Sequence, residues 1–210
     1  MRMVVAKKSI RQMLQWTQRL LFVCGFSLLG YCGFVVVEAW MFQRQANQEL
    51  EQRLHAERAV HAAATREAPQ DVPKAPPAIG PDGLIGRIEI ARLGVSAIVL
   101  EGTDNKTLRH GVGHIRNTAL PGEPGNAGLA AHRDTFFRPL KDIRQDDIIR
   151  VTTVNGDYRY RVVSTRVLNP TDVWVLKPTA TEILTLVTCH PFYFVGSAPN
   201  RFIVQAERVT

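Results

Sequence analysis

The stretch Asp147–Val167, DIIRVTTVNGDYRYRVVSTRV, decides the fold class of this chain. Its two halves, Asp147–Val154 and Tyr158–Val167, are rich in β-branched and aromatic side chains, which is typical of strands. Between them lies Asn155-Gly156-Asp157, and Asn-Gly between two strand-like runs is a strong hairpin signal. We therefore predict an antiparallel β-hairpin within a β-rich domain.

The pattern of short strands separated by turn residues continues on both sides of this hairpin. Asp104–His110 and Thr171–Leu176 have the composition of short helical turns. Together these segments predict a compact, mostly β barrel of seven or eight strands with minor helices. The further predicted strands are Leu84–Ile90, Val95–Leu100, Ala127–Ala131, Ile183–Thr188 and Arg201–Arg208.

An uncharged apolar run occupies Leu20–Val37 near the N-terminus. As a helix it would reach roughly 27 Å, close to the hydrocarbon thickness of a bilayer. Aromatic residues of the kind found at membrane interfaces flank it at Trp16, Trp40 and Phe42. No Ala-x-Ala cleavage site follows directly, so we predict an uncleaved transmembrane signal anchor over residues 20–40 and not a signal peptide.

The positive charge of the chain is concentrated before this run. The net charge is +7, and residues 1–19 hold five basic and no acidic side chains. Residues 82–210 hold 16 basic and 13 acidic side chains, so no basic face for nucleic acid is expected there. The positive-inside rule predicts a cytoplasmic segment over residues 1–19 and an extracytoplasmic domain over residues 82–210.

Two segments connect the predicted anchor to the domain. Residues 41–66 are rich in Ala, Glu, Gln, Leu and Arg, which favour helix, and apolar residues are sparse among them. We predict a polar helical stalk here. Residues 67–81 contain five prolines, which predicts an extended, semi-rigid linker and a domain boundary near residue 81.

Cys189 is the cysteine that could carry chemistry. Cys24 and Cys32 lie in the apolar run, and the chain has no Cys-x-x-Cys pair, so neither a thiolate metal site nor a cofactor is predicted. Cys189 ends one predicted strand and Arg201 opens the next, so an antiparallel pair would bring them to the same end of the sheet. A guanidinium there favours a thiolate and can hydrogen-bond an oxyanion. The alternative for Cys189 is a buried, inert thiol.

A histidine acting as general acid and base would complete such a site. His132 follows the strand Ala127–Ala131 and enters a loop, so it is favoured. His110 and His114 lie in a Gly-rich turn segment, and His190 adjoins the cysteine, where sequence neighbours usually point apart. The residues alone favour His132 without excluding these three.

Two motifs resemble a known family. Thr185–Cys189, TLVTC, resembles the Thr-Leu-x-Thr-Cys signature of sortases, and Pro191–Phe202 is similar to the class D branch. The order His132, Cys189, Arg201 is similar to the triad of that family. His190 departs from the pattern, because an aromatic residue such as tyrosine is expected there.

The resemblance implies an eight-stranded sortase-type β-barrel with a transpeptidase mechanism. Cys189 would attack the threonine carbonyl of a Leu-Pro-x-Thr-Gly-like motif, and a thioacyl enzyme would form. His132 would protonate the leaving amine and deprotonate the incoming one, while Arg201 would hold the carbonyl or oxyanion. The implied partners are surface proteins with a C-terminal sorting motif and an amine from a peptidoglycan precursor or a protein. Some relatives bind calcium, but no dense acidic cluster predicts a metal site here.

Five further residues are predicted to contact the substrate. Thr188 could contribute its backbone or hydroxyl near the oxyanion. Four residues after the cysteine could line a groove for the Leu-Pro side chains, with the barrel core as the alternative: Phe192, Tyr193, Phe194 and Val195.

Two other functions are compatible with parts of this pattern. A plain cysteine protease of the papain type places its cysteine before its histidine, the reverse of the order here, although a hydrolytic member of the sortase family remains possible. A non-enzymatic, membrane-tethered β-domain would keep Cys189 buried.

Overall fold

The computed structural model describes residues 2–64, 79–80, 83–193 and 196–209, with side chains in the N-terminal helix described over 11–56. Most of the predicted proline-rich linker, 67–81, lies outside the described residues, as do both of the boundaries predicted for it. The chain divides into two compact units, residues 1–42 and 43–210.

The second unit is a closed eight-stranded barrel, so the predicted fold class is confirmed. The strand order around the barrel is β1-β2-β3-β4-β7-β8-β6-β5. Two neighbouring pairs, β2–β3 and β4–β7, are parallel, and the others are antiparallel. The strands are β1 Leu84–Ile90, β2 Val95–Glu101, β3 Val112–His114, β4 Asn126–Ala130, β5 Ile148–Thr153, β6 Gly156–Leu168, β7 Ile183–His190 and β8 Asn200–Val209.

The predicted hairpin is the β5–β6 pair. Its strands are closed by the pair Thr153↔Gly156. Gly156 has a φ of 141°, a conformation that side chains rarely allow, which explains why glycine stands at this turn. Tyr158, Tyr160 and Val162 are buried in the barrel, because alternate side chains of a strand project to the same face.

Several short elements complete the domain. Helix α2, Asn105–His110, and a 3-10 helix, Val173–Leu176, fall within the predicted helical turns. The side chain of Asp104 caps α2 by accepting from the main-chain N–H groups of Lys106 and Thr107. Strand β3 was read from the sequence as a Gly-rich turn, and that reading is wrong, because its three residues pair with β2 and β4.

A single helix, α1, runs over Arg2–Ala64. Among the described residues, one helical segment, Arg11–Ala56, is long and apolar enough to cross a membrane, with a mean hydropathy of 2.3 in its most apolar window. Its large apolar side chains from Met13 to Met41 are exposed, which fits the predicted membrane helix.

The part of α1 that belongs to the barrel unit, from residue 43 onward, has buried apolar side chains. Leu50 and Leu54 are buried, and together with Ala46 they form a stripe at intervals of four residues along one helix face. Ile98 of β2 alternates with core-facing neighbours and therefore points outward, yet it is fully buried. The helix thus covers the outer face of β1 and β2 with apolar contact.

Polar contacts fix the same helix segment on the barrel. The Gln43 amide accepts a 3.1 Å hydrogen bond from the Ile98 N–H and donates to the His110 carbonyl, so it continues the ladder where β3 is too short to pair. Arg87 of β1 donates to Asn47 and Glu51 on α1, at 3.3 and 3.1 Å. These hydrogen bonds therefore fix which residues of the helix face the barrel, and they also stabilise the contact.

Replacing Leu50 with alanine tests this cover. We expect Leu50→Ala to lower the free energy of unfolding of the barrel by about 2–5 kcal/mol, because it empties a fully buried position. Denaturant titration of the full chain in detergent measures the change. Gln52→Ala, on the exposed face of the same helix turn, is the control and should change stability little. Equal midpoints for both variants would show that the helix does not stabilise the barrel.

Candidate active site

Cys189 and Arg201 are direct partners in the antiparallel β7–β8 ladder. Residues opposite each other in such a pair project to the same face, with Cβ atoms about 4.5–5.5 Å apart. Leu184 and Leu186 of β7 point into the core, so Cys189, three residues after Leu186, lies on the outer face. The thiol and the guanidinium therefore share one face at one end of the sheet.

His132 reaches the same level through the other edge of β7. Strands β4 and β7 are parallel, and their last pair is Ala130↔Val187. Continuing this register by two residues sets His132 beside Cys189. The Ala131 N–H still donates to the Val187 carbonyl at 3.3 Å, so the two segments remain together up to this point.

The three side chains line one cleft with a volume of about 280 Å³. His132, Cys189 and Arg201 are all half-buried, so each is supported by neighbours and still open to a ligand. The cleft is completed by two residues after His132 and by part of the β7–β8 connection: Arg133, Asp134, Gly196, Ser197 and Ala198. Sequence reasoning did not single out Arg133, although its position directly after a loop histidine was a usable signal.

The three functional side chains of this cleft differ in their hydrogen bonding. Within the described part of the chain, neither the His132 ring nor the Cys189 thiol makes an internal hydrogen bond. Arg201 donates through Nη1 to the carbonyls of Ala198 and Asn200, at 3.3 and 3.0 Å. These bonds stay within its own turn and orient the guanidinium.

The other histidines considered lie elsewhere. The Nδ1 atom of His110, at the end of α2, lies 2.8 Å from the carbonyl oxygen of Lys106. His114 is buried, with Nδ1 2.7 Å from the Glu101 carboxylate. His190 stacks on Phe202 with ring centroids 6.3 Å apart. Among the described histidines, His132 is the one that lines the cleft.

Thr188 is not a cleft residue in this structure. It is buried, and its hydroxyl donates a 2.8 Å hydrogen bond to the carbonyl of Ala131. Because Ala131 precedes His132 and Thr188 precedes Cys189, this bond joins the two segments that carry the reactive side chains. The structure thus shows a positioning contact for Thr188, and its contact with the substrate stays a prediction.

Two of the four predicted groove residues, Phe192 and Tyr193, lie in the described part of the chain. Phe192 packs against Phe202 at the edge of the core, with ring centroids 5.3 Å apart. Tyr193 is 73% exposed, and its ring lies near Arg138 and Lys141. Two hydrogen bonds raise the pKa of Lys141: the one with Tyr193 has the larger effect and the one with Asp142 the smaller. Phe194 and Val195 lie outside the described residues.

The described residues include no group of three His, Cys, Asp or Glu side chains arranged to hold a metal ion.

A thiol on β7, a guanidinium on β8 and an imidazole just after β4 are the functional groups that a cysteine-dependent acyl-transfer enzyme uses. The sequence model described as "Sortase domain" matches residues 88–209. Sortase D of Bacillus subtilis is 31% identical over 189 residues, which cover 89% of this chain and 94% of that protein. The chain belongs to the sortase family, and it is a cysteine transpeptidase.

Solved structures agree with this assignment. The Clostridium perfringens sortase D5 transpeptidase superimposes with a TM-score of 0.63 at 25% identity, covering 81% of this chain and 99% of that one. Sortase C-1 from Actinomyces oris gives a TM-score of 0.59 at 26% identity, over 76% of this chain and 99% of its own. Both similarities extend over nearly the whole of the solved chains.

The Thr188 hydrogen bond predicts a separation of stability from activity. Thr188→Val and Thr185→Val each remove a buried hydroxyl from β7, and each should cost about 1–3 kcal/mol of unfolding free energy. Only Thr188→Val should also slow transpeptidation, because the Thr185 hydroxyl bonds Asn126, away from His132. Equal activity losses in both variants, measured as peptide transfer per folded molecule, would contradict this.

Proposed function

We propose that Cys189 is the nucleophile, His132 the general acid and base, and Arg201 the donor to the substrate carbonyl. The observation that carries this assignment is the double register of β7: Cys189 pairs with Arg201 across one edge, and the β4 pairing leads to His132 across the other. All three line the same cleft. This arrangement supplies attack, proton transfer and oxyanion stabilisation to one carbonyl group.

The reaction then proceeds in two acyl transfers. The Cys189 thiolate attacks the threonine carbonyl of a Leu-Pro-x-Thr-Gly-like motif, while Arg201 donates to the developing oxyanion. The peptide bond breaks as His132 protonates the departing amine, which leaves a thioester on Cys189. An incoming amine loses its proton to His132 and attacks the thioester, so a new amide forms and the thiol is restored.

The peptide can approach along the outer face of β4 and β7. Ala130 and Val187 are half-buried on this face, directly before the reactive residues. Further along, the 3-10 helix Val173–Leu176 packs over β4, because the Asn126 amide donates to the Val175 carbonyl at 2.8 Å. This helix exposes 66% of Val173, which offers an apolar wall for the Leu-Pro part of the motif.

The substrates follow from the family. Sortases act on surface proteins that carry sorting signals, and we propose a C-terminal signal here. We propose as acceptor an amine of a peptidoglycan precursor or of another protein. The apolar helix indicates a membrane anchor. We place residues 1–19 in the cytoplasm, 20–40 in the membrane, and the stalk 41–66, linker 67–81 and catalytic domain 82–210 outside.

Substitutions at the three residues test the assignment. Cys189→Ala and His132→Ala should abolish the thioacyl enzyme formed from a Leu-Pro-x-Thr-Gly peptide, as detected by intact mass spectrometry. Arg201→Lys should lose most activity, because a point ammonium does not reproduce the planar guanidinium fork. The exchange of Cys24 and Cys32 for alanine is the matched control and should leave acylation unchanged, since both lie in the apolar helix.

Product analysis separates the possible reactions. With an added amine we expect transfer product in preference to free acid. Acylation of the Cys189→Ala variant would refute the nucleophile assignment. Hydrolysis alone, at every amine concentration, would refute the transfer step.

A further inference from the structure

We propose that Arg133 is a positioning residue for the transpeptidation: it fastens the β7–β8 connection to the loop that begins at His132. This inference rests on the proposed roles of His132 and Cys189. It concerns how these two side chains keep their relative position where the strands that carry them separate.

The β4–β7 pairing ends just before the reactive residues. After the last pair, Ala130↔Val187, β7 continues beside β8, whereas the chain after β4 turns away into a loop. Hydrogen bonds through Ala131 hold the two segments together for one more residue. At the level of His132 and Cys189, a further contact is needed to hold the loop after β4 against the end of β7.

Arg133 makes that contact. Its Nη1 donates to the Pro191 carbonyl at 3.0 Å, and its Nη2 donates to the Gly196 carbonyl at 2.9 Å. Pro191 is the first residue of the β7–β8 connection and Gly196 lies further along it, so one planar group holds two points of this connection. Hydrogen bonds from a charged donor are stronger than neutral ones and are directional, which suits a clamp.

These hydrogen bonds hold the segments around His132 and Cys189 without engaging the imidazole or the thiol. Ala131 and Arg133, the neighbours of His132, are bonded to Thr188 and Pro191, which flank Cys189 and His190. The imidazole and thiol are thereby positioned through their main chains and remain available to the substrate. A displacement of about 1 Å at such a site can cost a hundredfold in rate, so this restraint matters for kcat.

The two arginines of the cleft differ in this respect. The hydrogen bonds of Arg201 reach carbonyls one and three residues away, so they restrain only its own turn. The bonds of Arg133 reach residues 58 and 63 positions away and join separate segments. We therefore assign substrate contact to Arg201 and positioning to Arg133.

The test compares Arg133→Met, Arg133→Lys and the control Arg150→Met, which changes an exposed arginine on β5. Each full-length variant is assayed for Tm, for kcat and KM with a sorting peptide and an amine, and for alkylation of Cys189 by iodoacetamide. We expect Arg133→Met to lower kcat about 10–100-fold with KM nearly unchanged and the thiol still open to alkylation. Arg133→Lys should recover only part of kcat, because an ammonium does not span both carbonyls.

Three results would overturn the proposal. They are a wild-type kcat in Arg133→Met, full recovery in Arg133→Lys, and losses of kcat that only follow the loss of folded protein. If Arg133→Met does not fold, the Arg133→Lys comparison still decides between fork geometry and charge. Residual acylation in Cys189→Ala would instead show that the proposed function fails, so the two failures are distinguishable.

Discussion

The double pairing of β7 is the constraint on which the active site depends. One edge of this strand is bonded to β4 in parallel and the other to β8 in antiparallel orientation. Parallel pairing sets like ends side by side, so His132 follows β4 at the level where Cys189 ends β7. Antiparallel pairing brings the start of β8, and with it Arg201, to the same level. Three residues that are far apart in sequence thus converge through ladder hydrogen bonds.

The two faces of the barrel wall have separate tasks because strand side chains alternate. Leu184 and Leu186 of β7 pack with Val204 and Ala206 of β8 inside the closed sheet, and this apolar interior stabilises the fold. Cys189 belongs to the outer set, so the chemistry proposed for it takes place outside the core. A barrel without open edges can support this site on its wall, since no ladder needs to open when a peptide binds.

The outer face is also divided. Over β1 and β2 it is apolar and covered by α1 through Leu50 and Leu54. Over β4 and β7 it carries the cleft and the proposed approach path of the peptide, next to the 3-10 helix Val173–Leu176. The loops next to the cleft are restrained by hydrogen bonds to main-chain carbonyls, from Thr188 and Arg133. These bonds hold the loops while leaving the thiol and the imidazole unbonded.

The sequence by itself determined the features that depend on local pattern. Short strand-like runs bounded by turn residues predicted most of the strands, and Asn155-Gly156 predicted the hairpin, because each of these signals spans only a few residues. A cysteine that ends one strand and an arginine that opens the next predicted the Cys189–Arg201 pair. The tertiary structure alone decided the pairing of three-residue β3, the burial of Leu50, the orientation of Thr188 towards Ala131 and the reach of Arg133. Those features depend on contacts between distant segments, and the energy of such a contact is not encoded in either segment alone.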